Sequence, residues 1–210
     1  MKGLLRKDLY MAWRYCRSYL LILLVFSVLS IWGESSFLLS YPMFFAGIIP
    51  VTLISYDEKS RWNAYAATLP CSRAQCVSVK YLVTLLCILG TTLVLLLFQT
   101  IGMAVRDGFS ADRYMLTGCL IPAAGILVPA LLLPAVFRFG AEKGRIAYFA
   151  VVIAFFVLLA LLDLFLHPED AAAPAGFLPT WVCLTALACA ALLFAASWVL
   201  SVLLYKKRDL

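Results

Sequence analysis

The chain has 210 residues, 65% of them hydrophobic and 13% charged, with 17 lysines and arginines against 11 aspartates and glutamates and a net charge of +6. A mean hydropathy of +1.00 and a charged fraction near half the roughly one quarter usual in soluble domains exclude the soluble globular classes. No polar stretch between apolar runs is long enough to hold a core of its own, so residues 1–210 read as one membrane domain.

In chain order, MKGLLRKDLYMAWRYC places Leu5, Leu9, Ala12, Trp13 and Cys16 on one helical face and Lys2, Arg6, Arg14 and Arg17 on much of the rest. The pattern predicts an amphipathic helix over 1–16, lying along the inner leaflet. A basic segment before an apolar run resembles a secretory signal, but no small-x-small cleavage site follows Trp32, and the segment is expected to stay attached.

Crossing ~30 Å of hydrocarbon takes about 20 apolar residues at 1.5 Å each. Six runs answer: residues 17–32, 37–54, 77–105, 115–137, 146–166 and 178–205. They are continuously apolar rather than alternating, which favours helices over a barrel. Pro42 and Pro50 fall in the second run, and Pro122, Pro129 and Pro134 in the fourth, where prolines kink a helix and give it a place to flex. The links GESS, RDGFSADR and HPEDAAAPAG, after the first, third and fifth runs, are too short for a receptor ectodomain. Fifteen of the seventeen basic residues fall on the opposite side, leaving Arg106 and Arg113, so both termini are expected in the cytoplasm.

Between runs two and three stands SYDEKSRWNAYAATLPCSR, residues 55–73. Ser55 to Glu58 fits a capping box, and Trp62, Tyr65, Ala66 and Leu69 recur at spacings of three and four before Pro70. A bounded amphipathic helix over 55–69 is predicted, and Ser72 to Gln75 is a second box opening run three. Its aromatic face has two readings that physics leaves open: a seat at headgroup level, or a groove on a cytoplasmic partner.

The chemistry of catalysis is missing. There is no G-x-x-x-x-G-K-[ST] phosphate loop, no G-x-S-x-G nucleophile turn and no H-E-x-x-H, and seven cysteines with one histidine form no zinc pattern. The cysteines read as small hydrophobes within the runs. Catalytic, cofactor and metal residues are therefore expected to be none. Asp163 and His167 share a helix face near the far boundary, as an interfacial pair or as a proton relay.

KGLLRKDLY, DEKSRWNAYAATLPCSRAQCVSVKYL and FRFGAEKGR together resemble small permease subunits of ABC-2-type ATP-binding-cassette exporters, including bacterial exporters of amphipathic or antimicrobial peptides. That resemblance implies a bacterial cell-membrane permease working as a homo- or heterodimer, with ATP and Mg bound on a separate ATPase subunit and no nucleic-acid partner. It also makes 55–69 the coupling helix. Carried onto this chain, Asp57, Glu58, Arg61, Trp62, Tyr65 and Leu69 would dock on the ATPase, with Arg138, Glu142, Lys143 and Arg145 as a second contact. The expected fold is all-α, with six spans, an interfacial N-terminal helix and the coupling helix. The rival functions are a stand-alone immunity factor, an ion-coupled carrier, or an intramembrane enzyme built on Asp163 and His167.

Overall fold

The computed structural model describes residues 2–15, 17–32, 41–66, 68, 72–105, 114–166 and 180–206, and these are helical apart from short turns, with no strand among them. The three far-side links, His167 included, lie outside the described residues, as do Cys16, Leu69 and Pro70. The helices are α1 (Lys2–Tyr15), α2 (Arg17–Trp32), α3 (Tyr41–Lys59), the short α4 (Trp62–Ala66) and α5 (Arg73–Val105). A π-helical turn (Leu116–Leu120) then leads into α6 (Ile121–Phe139), α7 (Ala141–Leu166) and α8 (Thr180–Lys206).

Each apolar run thus forms a helix. Among the described residues, three stretches are long and apolar enough to cross a membrane by themselves: Arg73–Ala104, Thr117–Phe139 and Trp181–Tyr205. A fourth arises if Gly3–Tyr15 and Arg17–Leu29, which meet at 63°, form one bent span.

Helix α3 is the centre of the bundle and packs against α2, α5, α6 and α7. From Pro42 to Ser55 all its residues but Phe45 are buried, as expected of a helix apolar on every side. Phe44, Ile48, Val51 and Ile54 meet Val128, Leu133, Val136 and Phe194 in the largest core cluster, while Ile49 and Leu53 pack with Val79 and Val83 of α5. The Tyr148 hydroxyl donates to the Phe44 carbonyl, fastening α7 to α3. Cys183 is buried, and Cys76 and Cys87 pack against the core clusters as small apolar side chains.

The N-terminal helix is rotated from its predicted face. Leu4, Leu5, Met11 and Ala12 pack against the α3–α5 cluster, whereas Leu9 and Trp13 are exposed, Trp13 to 70%. The inward stripe therefore runs through positions 4, 5, 8, 11 and 12, and it carries Asp8 into the interior. The acid is what turns the helix, because its carboxylate has cationic partners inside.

On α5, Gln99 is 8% exposed and, among the described residues, neither its amide nitrogen nor its amide oxygen has a hydrogen-bond partner. An unmet buried polar group costs about 1–3 kcal/mol. Replacing it with leucine, close in volume and free of that cost, is expected to stabilise the chain by about 1 kcal/mol or more. A lowered unfolding midpoint for Gln99→Leu in detergent would instead show that bound water or another group satisfies the amide.

Candidate functional site

The segment that the sequence marks as a coupling helix is built differently from the predicted one. No cap forms at Ser55: that residue is buried inside α3, which runs without a break through Ser55, Tyr56, Asp57 and Glu58 to Lys59. A capping serine must sit outside the helix it starts, and here the core of the bundle holds the preceding turns helical. The chain turns later, at Ser60 and Arg61. Ser60 N–H bonds to Tyr56 O at 3.0 Å, Arg61 N–H to Glu58 O at 3.1 Å, and the Ser60 hydroxyl donates to Asp57 O. Arg61 has a φ of 53°, a left-handed conformation uncommon outside glycine and often found where function holds the backbone in place.

Helix α4 follows with only five residues, WNAYA. Thr68 closes it, its N–H and hydroxyl both bonding to Tyr65 O. The second predicted box is present as expected. Ser72 N–H bonds to Gln75 Oε1 at 3.1 Å and Gln75 N–H to Ser72 Oγ at 3.2 Å, so α5 starts with two of its donors satisfied.

Beneath the turn lies a closed ring of four charges. Asp57 Oδ1 takes Lys7 Nζ at 2.7 Å and Asp57 Oδ2 takes Lys80 Nζ at 2.6 Å; Asp8 completes the ring with Lys80 at 2.8 Å and Lys7 at 3.3 Å. The ring is neutral, alternates in sign, and joins α1, α3 and α5. Asp8, Asp57 and Lys80 are buried, so their charges are tolerable only because each has two partners. Lys7 has a third contact, its ammonium standing 3.9 Å from the centroid of the Trp62 ring. A stacked pair, Tyr15 and Tyr56 at 4.5 Å, ties the far end of α1 to the same stretch of α3. A cavity of ≈ 30 Å³ lies among these groups, bounded also by Glu58, Phe137 and Tyr205.

The structure therefore divides the predicted docking residues. Asp57 faces inward, with both oxygens occupied by Lys7 and Lys80. Trp62 is half-buried over the ring and stacks obliquely on Tyr65 at 5.3 Å. Arg61 and Tyr65 are outward, Tyr65 with 58% of its surface exposed. Glu58 reaches the α6–α7 turn, where a Cβ added to Gly140 would stand 3.6 Å from both of its carboxylate oxygens. This brings the two predicted contact regions side by side: Arg138, Phe139, Glu142 and Lys143 are exposed near Glu58 and the Ser60–Arg61 turn that follows it. Leu69 lies outside the described residues, as do the side chains of Arg145 and Asp163.

Both glycines of the FGAEKG turn have a mechanical reason. Gly140 ends α6 at a φ of 93°, its N–H bonding back to Val136 O at 2.9 Å. A Cβ on Gly144 would stand 2.3 Å from Val136 Cγ2, so α7 starts pressed against the Val136 side chain of α6. Gly144→Ala is expected to cost about 1–3 kcal/mol by overpacking, read as a lowered unfolding midpoint. An unchanged midpoint would mean that the turn gives way freely.

Asp8, Lys7 and Lys80 were missed as site residues by sequence reasoning, although two signals were available. Lys80 is the only charge in α5 beyond its first residue, Arg73, and Asp8 is the only acid in α1. An ionisable residue inside an apolar run calls for a named partner. Among the described residues no group of three or more His, Cys, Asp or Glu side chains could hold a metal.

Comparison with known proteins fits this arrangement. A family model described as ABC-2 family transporter protein matches residues 3–206, while no curated protein and no solved structure matches the chain. The match takes in α1, the Ser60–Arg61 turn, the charge ring and the apolar helices. The chain belongs to the ABC-2 transporter family, whose members are membrane components of transporters rather than catalytic subunits.

Proposed function

We propose that the chain is the permease subunit of an ATP-driven exporter, and that the Ser60–Arg61 turn with α4 is the element that docks on a separate ATPase. The observation that carries this reading is the anchored turn. A docking element has to pass force into the membrane helices, and here it is the direct continuation of α3, the central helix, and is locked to α1 and α5 by the charge ring. The sequence has no phosphate loop, so ATP and Mg belong on the partner and none is bound by this chain.

On this reading Arg61, Trp62 and Tyr65 meet the ATPase first, with Glu58, Arg138, Phe139, Glu142 and Lys143 beside them. The six apolar runs support six spans, the fifteen basic residues on one side support both termini in the cytoplasm, the family resemblance supports a bacterial membrane, and a second permease subunit completes the transport path. The intramembrane cores hold few charges, which suits an amphipathic or hydrophobic cargo, whether peptide, lipid-like or drug-like.

Affinity purification of the tagged chain from its native membrane tests the proposal. The expected result is a stoichiometric protein with a phosphate-loop sequence, lost when the α4 surface is altered. A chain that carries out its cellular role with no such protein bound would be a stand-alone membrane protein, and the permease reading would fall.

A further inference from the structure

Proline inside a helix leaves the carbonyl four residues earlier without its donor and kinks the axis. In α6, Pro134 frees the Ala130 carbonyl, and in a membrane interior water does not make up the loss. The structure supplies a replacement from another helix: Ser197 of α8 donates its hydroxyl to Ala130 O.

That hydroxyl belongs to a longer chain. Tyr81 Oη lies 2.7 Å from Ser197 Oγ and 2.7 Å from Ser201 Oγ. Each hydroxyl has one proton to give. Ser197 spends its own on Ala130 O, so Tyr81 donates to Ser197, and Ser201 in turn donates to Tyr81. The order Ser201, Tyr81, Ser197, Ala130 carbonyl is thus directional, and all four residues are buried. Around it Tyr81 rests on Phe194 at 5.0 Å, and Trp198 Nε1 donates to Ser78 Oγ at 3.0 Å, holding α8 against α5 on both sides.

We propose that Tyr81, Ser197 and Ser201 form a clasp that replaces the hydrogen bond missing at Pro134 in α6. The three are positioning residues for the proline-bearing part of the fourth apolar run. Their place on α5 gives the clasp a second connection, because Tyr81 adjoins Lys80 of the charge ring. A shift of α5 that strains the ring at Lys80 carries Tyr81 with it, and Tyr81 holds the hydroxyl that caps the Ala130 carbonyl. This last step rests on the docking proposal; the clasp itself does not.

The test is a double-mutant cycle on the purified full-length chain in detergent, without any ATPase, so its outcome is separate from that of the docking proposal. Ser197→Ala leaves the Ala130 carbonyl bare and is expected to lower the unfolding midpoint by about 3–6 °C. In a Pro134→Ala background, residue 134 again has an N–H for Ala130 O, and the same serine replacement is expected to cost less than about 1 °C. Ser197→Thr keeps the hydroxyl and is expected to hold the midpoint within about 1 °C of the parent. Equal losses from Ser197→Ala in both backgrounds overturn the clasp. If Pro134→Ala does not fold, the threonine arm decides, since a loss as large as that of Ser197→Ala shows the hydroxyl is not what matters.

Discussion

Lys80→Met is expected to be among the most damaging single substitutions in the protein, costing about 3–5 kcal/mol, the range for removing one partner of a buried ion pair. The lysine holds one oxygen of Asp57 at 2.6 Å and one of Asp8 at 2.8 Å. Without it two buried carboxylates share Lys7 alone, and Lys7 is the more exposed of the two cations. The prediction has an internal control. Adding Asp57→Asn to Lys80→Met removes the surplus negative charge and is expected to recover a substantial part of the loss, because a neutral buried group costs far less than an unpaired ion. Thermal unfolding of Lys80→Met, Asp57→Asn and the double variant in one detergent measures both effects. Additive losses in the double variant would mean that the ring is not a coupled unit.

The ring also bears on how much of this molecule could be read from its residues. The helices were legible because their signal is local and continuous: six apolar runs became six helices, and Ser72 with Gln75 became the box that their spacing implies. Ser55 to Glu58 shows the same motif failing. There the capping pattern competes with burial of Ser55 inside the central helix, and tertiary packing outweighs a local preference worth about 1 kcal/mol. The turn itself gave no sign, since it rests on Arg61 in a conformation that sequence would assign to glycine. The charge ring was hidden for a different reason. Asp57 is 50 residues from Lys7 and 23 from Lys80, on three separate helices, and pairing at that separation leaves no periodicity to detect. In α1 the apolar residues border two overlapping faces, and only the interior position of Asp8 selects between them.

The second large effect separates docking from stability within a single short helix. Tyr65→Ala removes a ring that is 58% exposed and is expected to leave the fold within about 0.5 kcal/mol of the parent. Trp62→Ala takes away the ring beneath the Lys7 ammonium and part of the cavity wall, and is expected to lower stability by about 1–3 kcal/mol. If α4 docks on an ATPase, both changes weaken the complex by about 2 kcal/mol or more, near 30-fold in affinity, since exposed aromatic residues are the usual anchors of such interfaces. Arg61→Gly extends the contrast, because glycine accepts a φ of 53° without strain while the guanidinium is lost. It is expected to hold or raise stability and still weaken association. Measured side by side, binding to the purified ATPase and unfolding of the free chain must therefore move independently for Tyr65 and Arg61 and together for Trp62. If affinity instead follows stability across all three, α4 is only a cover for the charge ring, and the docking surface must be sought on the Arg138–Lys143 side.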